Sequence, residues 1–162
     1  MVEAARPEGA DGRERQIWRV LESVADPEIP VVNIVELGIV RQVRAGADGR
    51  LRVRITPTYS GCPATEVIAR SIRETLDQSG CADVMLETVL WPPWSSQWLS
   101  DSGRRKLEAF GIAVERGEPG QVACPRCASH QVECISEFGS TPCKAHYRCR
   151  ECFEPFDTFK CL

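Results

Sequence analysis

The sequence predicts an α+β protein in two parts, a small α/β sandwich domain followed by a compact module built on cysteines. Three observations predict it. Apolar residues recur at helical spacing in two segments, a third short helix is bounded by cap signals, and an alternating hairpin and a further strand lie between them, an order that packs helices on a small sheet. Glu115 to Gly120 reads Glu-Arg-Gly-Glu-Pro-Gly, a linker composition. Beyond it helical periodicity stops, and seven of the nine cysteines fall between Cys124 and Cys161.

The elements follow in order. Residues 1–12 are rich in Gly, Ala and Glu and read as a disordered tail ahead of a domain spanning 13–114. Ile17, Val20, Leu21 and Val24 form one helical stripe, which Pro27 stops because a residue before proline avoids the α region. Asp26-Pro27-Glu28-Ile29-Pro30 is then a rigid turn carrying two carboxylates. After the β-branched run Val31 to Val43, Asp48-Gly49 marks a hairpin. Its second strand alternates Leu51, Val53 and Ile55 with Arg50, Arg52 and Arg54. A helix starts near Pro63, buries Val67, Ile68, Ile72 and Leu76, and ends at Gly80. Asp83 to Leu90 reads as a strand, and Trp91-Pro92-Pro93-Trp94 as irregular. Ser95 or Ser96 can cap a last short helix running to about Ala109, with Gly111 just past its end.

Charge and composition exclude several function classes. The formal net charge is −3 over 162 residues. From Gln121 to Leu162, five basic residues meet five acidic ones. A nucleic-acid-binding module would carry a basic patch, so no nucleic-acid partner is expected. No apolar run is long enough for a membrane span, and the N-terminus has no apolar signal region, so a cytoplasmic location without membrane contact is expected. No P-loop, dinucleotide fingerprint or Ser-His-Asp set is present. The only histidines, His130 and His146, lie in the cysteine-rich part.

Cytoplasmic cysteine clusters are more often metal ligands than disulfides. Cys124-Pro125-Arg126-Cys127 and Cys149-Arg150-Glu151-Cys152 are two C-x-x-C knuckles. Together they offer four thiolates to one tetrahedral ion, Zn²⁺ first and iron second. The segment between them can form the hairpin of a zinc ribbon over 121–162, and so short a module gains from a metal staple. Cys134 and Cys161 read as small apolar side chains. Cys143 stays open: with His146 it could replace a knuckle ligand. Phe153, Phe156 and Phe159 read as a mini-core, with one or two free to face a partner.

Tyr59-Ser60-Gly61-Cys62-Pro63 places Cys62 at a helix start, where open N–H groups and the helix dipole favour a thiolate. It can act as a nucleophile or a soft-metal ligand, or simply fit the turn. Asp26, Glu28 and Glu36 are candidate acid–base or hard-metal groups, or turn and cap residues.

Asp26 to Pro30, Asn33-Ile34-Val35-Glu36-Leu37-Gly38, Thr56 through Gly61-Cys62-Pro63, Trp91 to Trp94 and Leu107 to Ile112 resemble the domain family of SufT-like iron–sulfur assembly factors. The C-terminal part, with Gly139 to Cys149 and Glu154-Pro155-Phe156-Asp157, resembles one subgroup, the D subunits of bacterial phenylacetyl-CoA epoxidase systems. The resemblance spans roughly 14–162. It implies an accessory role beside a multicomponent di-iron oxygenase in aerobic phenylacetate catabolism, assisting assembly of an iron or iron–sulfur centre. Cys62 would be the functional thiol, holding iron or a cluster transiently, with Asp26 and Glu36 as the acidic positions. The oxygenase and reductase components would be partners, with room for a homodimer. A redox or coupling component of the same complex is the competing expectation, which the missing cofactor motif disfavours.

Overall fold

A computed structural model of the chain describes residues 11–115 and 121–160. Residues 1–10 of the expected tail, most of the expected linker (residues 116–120) and Cys161 lie outside the described residues. The chain divides into two compact units, Met1–Trp94 and Ser95–Leu162.

In the first unit Asp11 and Gly12, expected to end the tail, open the first helix instead. Asp11 caps α1 (Gly12–Leu21) by accepting from the Arg13 N–H. The helix ends at Leu21, six residues ahead of the stop expected at Pro27. Its end is set by turn bonds from the N–H groups of Ser23 and Val24 to Val20 and Leu21. The chain then pairs with itself, Ala25 opposite Asn33, and Val24 still reaches the core at 4% exposure. Hairpin β1 (Val40–Ala45) and β2 (Leu51–Ile55) forms around Asp48-Gly49, where Gly49 takes a φ of 75°. Helix α2 (Ala64–Gln78) crosses back to β3 (Met85–Thr88), which pairs parallel to β2. Helix α1 packs on α2 and on β1.

Helix α2 buries Ala64, Ile68, Ile72 and Leu76 at strict four-residue spacing. Val67, expected in that stripe, stands one residue off its line and is half exposed. The helix closes with Gly80 at a φ of 73°. Cys81 N–H returns to Leu76 O at 2.8 Å and Gly80 N–H to Asp77 O at 3.2 Å, which satisfies the last carbonyls.

The second unit opens with a 3-10 turn at Ser96–Trp98 capped by Ser95, followed by α3 (Asp101–Ala109) capped by Ser100. Four strands follow: β4 (Ile112–Val114), β5 (Val132–Ser136), β6 (Lys144–Cys149) and β7 (Pro155–Phe159), arranged in the sheet order β4-β7-β6-β5. The β5–β6–β7 meander is antiparallel, and β4 pairs parallel to β7. Residues 112–114, assigned from the sequence to the first domain, are thus an edge strand of the ribbon sheet. The compact unit they belong to begins ahead of the 115–120 linker. No helix among the described residues is long and apolar enough to cross a membrane.

Candidate metal centre and the loop cysteine

The pleat of the ribbon sheet decides which side chains meet. Ala145, Tyr147 and Cys149 of β6 share a face with Phe156 of β7 and Ala113 of β4. On that face Ala113, Val122, Cys124, Cys149 and Phe156 form a buried cluster, with Val132, Tyr147 and Cys152 packed against it. Tyr147 and Phe156 stack with ring centroids 6.0 Å apart. One edge of this cluster is sulfur.

Both knuckles have the same backbone plan. Cys124 N–H donates to Ser129 O, and Cys149 N–H donates to Glu154 O, both at 2.9 Å and both five residues on. The residue after each second cysteine takes a left-handed conformation, Ala128 at a φ of 60° and Phe153 at 63°. This reversal turns the next N–H groups inward, so that Ser129 N–H reaches Cys127 Sγ and Glu154 N–H reaches Cys152 Sγ. Such donors stabilise thiolates.

The four Sγ atoms of Cys124, Cys127, Cys149 and Cys152 lie within 4.8 Å of one another. Cys124 to Cys152 and Cys127 to Cys149 are each 3.6 Å. Sulfurs bound tetrahedrally at about 2.3 Å from a zinc ion stand about 3.8 Å apart, so the donor set and its spacing fit the ion. Four thiols this close cannot all ionise without a cation between them. The Cys152 N–H, helped by that of Glu151 and opposed by burial, draws the Cys149 thiol down to about 7. At Cys127 the Ser129 N–H favours the thiolate. Burial and the bonds shared with Cys152, Cys149 and Cys124 outweigh it and push the group up to about 12. A metal that replaces the shared protons removes this conflict.

Cys143 is outside the cluster. Its sulfur lies 3.1 Å from Thr141 Oγ1, while His146 Nδ1 faces Asp157 Oδ1 at 3.1 Å. The substitute ligand pair left open by the sequence is therefore not formed. Cys134 is exposed on edge strand β5 instead of filling the core. Of the three phenylalanines, Phe156 and Phe159 are buried and Phe153 is 70% exposed.

In the first unit Cys62 is a half-buried free thiol directly before Pro63, the N-cap of α2. Its N–H donates to Tyr59 O at 3.2 Å, and its carbonyl accepts from Thr65 N–H at 3.1 Å. Proline has no side-chain acceptor, and α2 has no side-chain cap. Asp26 is buried, and its Oδ1 accepts from the N–H groups of Glu28 and Ile29 at 2.9 and 2.8 Å. Asn33 and Glu36 close a reciprocal cap. Asn33 Oδ1 accepts from the Glu36 N–H at 2.8 Å, and Glu36 Oε2 accepts from the Asn33 N–H at 3.1 Å. Both carboxylates thus hold turns. Buried Trp94 donates its indole N–H to Leu37 O at 2.8 Å and pins the second of these turns. Among the described residues the group of three or more His, Cys, Asp and Glu placed to share an ion is the four-cysteine set. Cys62, Asp26 and Glu36 are not brought together as another.

These features define an iron–sulfur-assembly-type domain carrying a zinc ribbon. Residues 14–84 match the family described as iron–sulfur cluster assembly protein, and residues 112–160 match the PaaD zinc beta ribbon domain. The chain belongs to the family of the Escherichia coli K12 protein named as the D subunit of a 1,2-phenylacetyl-CoA epoxidase. It is 46% identical to that protein over 91% of this chain and 92% of the relative. It is also 35% identical to an Fe-S protein maturation auxiliary factor of Porphyromonas gingivalis, over 58% of this chain and 90% of that one. A crystal structure of a DUF59 domain from Bacillus anthracis superposes with a TM-score of 0.53 at 30% identity. It covers 58% of this chain and 90% of its own.

Proposed function

We propose that this protein is a non-catalytic assembly factor for a multicomponent phenylacetyl-CoA epoxidase, delivering or positioning iron or an iron–sulfur cluster for a component of that complex. The observation that carries the reading is the pairing of two sulfur sites of opposite character. The ribbon places four thiolates around one point, with no position left for a substrate. Zinc bound there would tie the two knuckles together. The other sulfur site is the single half-buried thiol of Cys62 at the start of a helix with no side-chain cap. A soft metal centre in transit needs a thiolate that binds without enclosing. In this reading Cys62 contacts the cargo, the turns closed by Asp26 and Glu36 shape its surroundings, and the zinc ribbon meets the client. The oxygenase and reductase components are the clients, in the cytoplasm.

The test is to purify the oxygenase and its reductase from cells lacking this protein and to measure iron, acid-labile sulfide and turnover. Polypeptides present but short of iron are expected, with no growth on phenylacetate. Full metal content with low turnover, restored by mixing in this protein, would make it a coupling component instead.

A further inference from the structure

The β1–β2–β3 sheet has a second face, opposite the one whose side chains are buried. Leu51, Val53 and Ile55 turn inward and are at most 5% exposed, so Arg52 and Arg54 line the opposite side, with exposed Arg50 directly ahead of the strand. The register extends that row in both directions. Arg44 of β1 stands directly opposite Arg52, Gln42 stands opposite Arg54, and on β3 Met85 and Glu87 pair with Arg52 and Arg54. Arg52 donates to Glu87 at 2.7 Å and to Asp48 at 2.8 Å. Arg54 donates to the other oxygen of Glu87 at 3.0 Å. Arg44 and Arg50 are exposed and form no side-chain ion pair with any described residue.

We propose that this face docks a carboxylate-rich segment of a protein partner. Like charges directly opposite each other are unfavourable in a sheet; at Arg52 the carboxylates of Glu87 and Asp48 offset this, while its partner Arg44 has no such carboxylate among the described residues. Four guanidiniums meet two carboxylates here, a surplus of two positive charges on a chain whose net charge is −3. The cations of this face are arginine, as is every basic residue ahead of Lys106. Arginine has the planar fork that matches carboxylates in pairs. The face already shows the mode of binding, since Glu87 spans two guanidiniums with its two oxygens, while Arg44 and Arg50 have no side-chain ion pair among the described residues. The chain's acidic balance disfavours the competing occupant, a nucleic acid backbone. The inference does not depend on the assembly reading, because the probes below need no client.

The experiment is fluorescence anisotropy of labelled deca-glutamate with the full chain at low and raised salt, and of labelled deca-thymidylate in parallel. The expected result is salt-sensitive binding of deca-glutamate that weakens about tenfold or more in Arg44→Glu/Arg50→Glu. Arg70→Glu/Arg105→Glu, the same charge change at exposed positions of α2 and α3, leaves it unchanged. Circular dichroism checks each fold, and if the first double variant fails to fold, Arg44→Gln/Arg50→Gln is read in its place. Absent binding by the wild type, equal loss in both double variants, or tighter binding of deca-thymidylate through the same arginines would overturn the proposal.

Discussion

Ala128 and Phe153 are the residues on which the two knuckles turn. Each holds a φ near 60° without being glycine, and for an L-residue that conformation costs about 1–2 kcal/mol. Ala128→Gly is therefore expected to stabilise the zinc-loaded ribbon by up to about 1 kcal/mol, and Ala128→Val to destabilise it by at least as much. Thermal unfolding of the two variants at saturating zinc checks this; equal melting temperatures would contradict it. Phe153→Gly should behave like Ala128→Gly, because a ring 70% exposed loses little burial. At Cys62 the main chain makes the hydrogen bonds that hold the turn, so Cys62→Ser is expected to melt within a degree or two of wild type. In the proposed role it would still fail to support growth on phenylacetate. Complementation together with a melting curve separates the two effects.

At the scale of elements, α2 and the open sheet face lead to different tests. Ile72 has no exposed surface at the centre of the α2 stripe, so Ile72→Ala should cost about 2–5 kcal/mol, read from denaturant midpoints. Glu87 joins β3 to β2. Its hydrogen bonds from Arg52 and then Arg54 hold the carboxyl below the usual range. Because its folded value is depressed, its contribution is complete above the unfolded value of about 4.3 and is lost as pH falls through the lowered folded one. Glu87→Gln should therefore shrink the loss of stability between about pH 5 and pH 3. Melting curves across that window measure it, and an unchanged acid slope would count against the pairing. Legibility differed in kind at this scale. The helices, the hairpin and both knuckles announce themselves through period and spacing, which are local. The parallel pairing of β4 with β7 has no such signal: Ile112, Ala113 and Val114 are three residues whose partner lies far along the chain. The left-handed turns were hidden too, because Ala and Phe stand where glycine would have marked them. The carboxylates were ambiguous from sequence because Asp26 and Glu36 belong to residue types that both cap turns and bind metals.

For the whole molecule, the ribbon and the α/β unit draw stability from different sources. The first unit has an aliphatic core with Ile17, Leu21, Ile34, Ile55, Ile72 and Leu76 at 1% exposure or less. The ribbon's core includes two cysteines of the four-cysteine set, Cys124 and Cys149. Removing the metal with a chelator should release β5, β6 and β7 and leave the first unit folded. Hydrogen exchange should show protection lost in β4 as well, since its strand partner is β7. Protection retained at 144–159 after full metal removal would show that the staple is dispensable.

The placement of β4 also has a consequence in time. During synthesis β4 emerges roughly forty residues before β7, the strand that pairs with its edge. At ordinary elongation rates that is an interval of about two to eight seconds. Throughout it, the N–H and C=O groups of β4 that β7 will pair are open to any other strand edge nearby, even though α3 is already made and able to pack on the strand. A translational pause between β4 and β7 would prolong that exposure, whereas one placed after β7 would not.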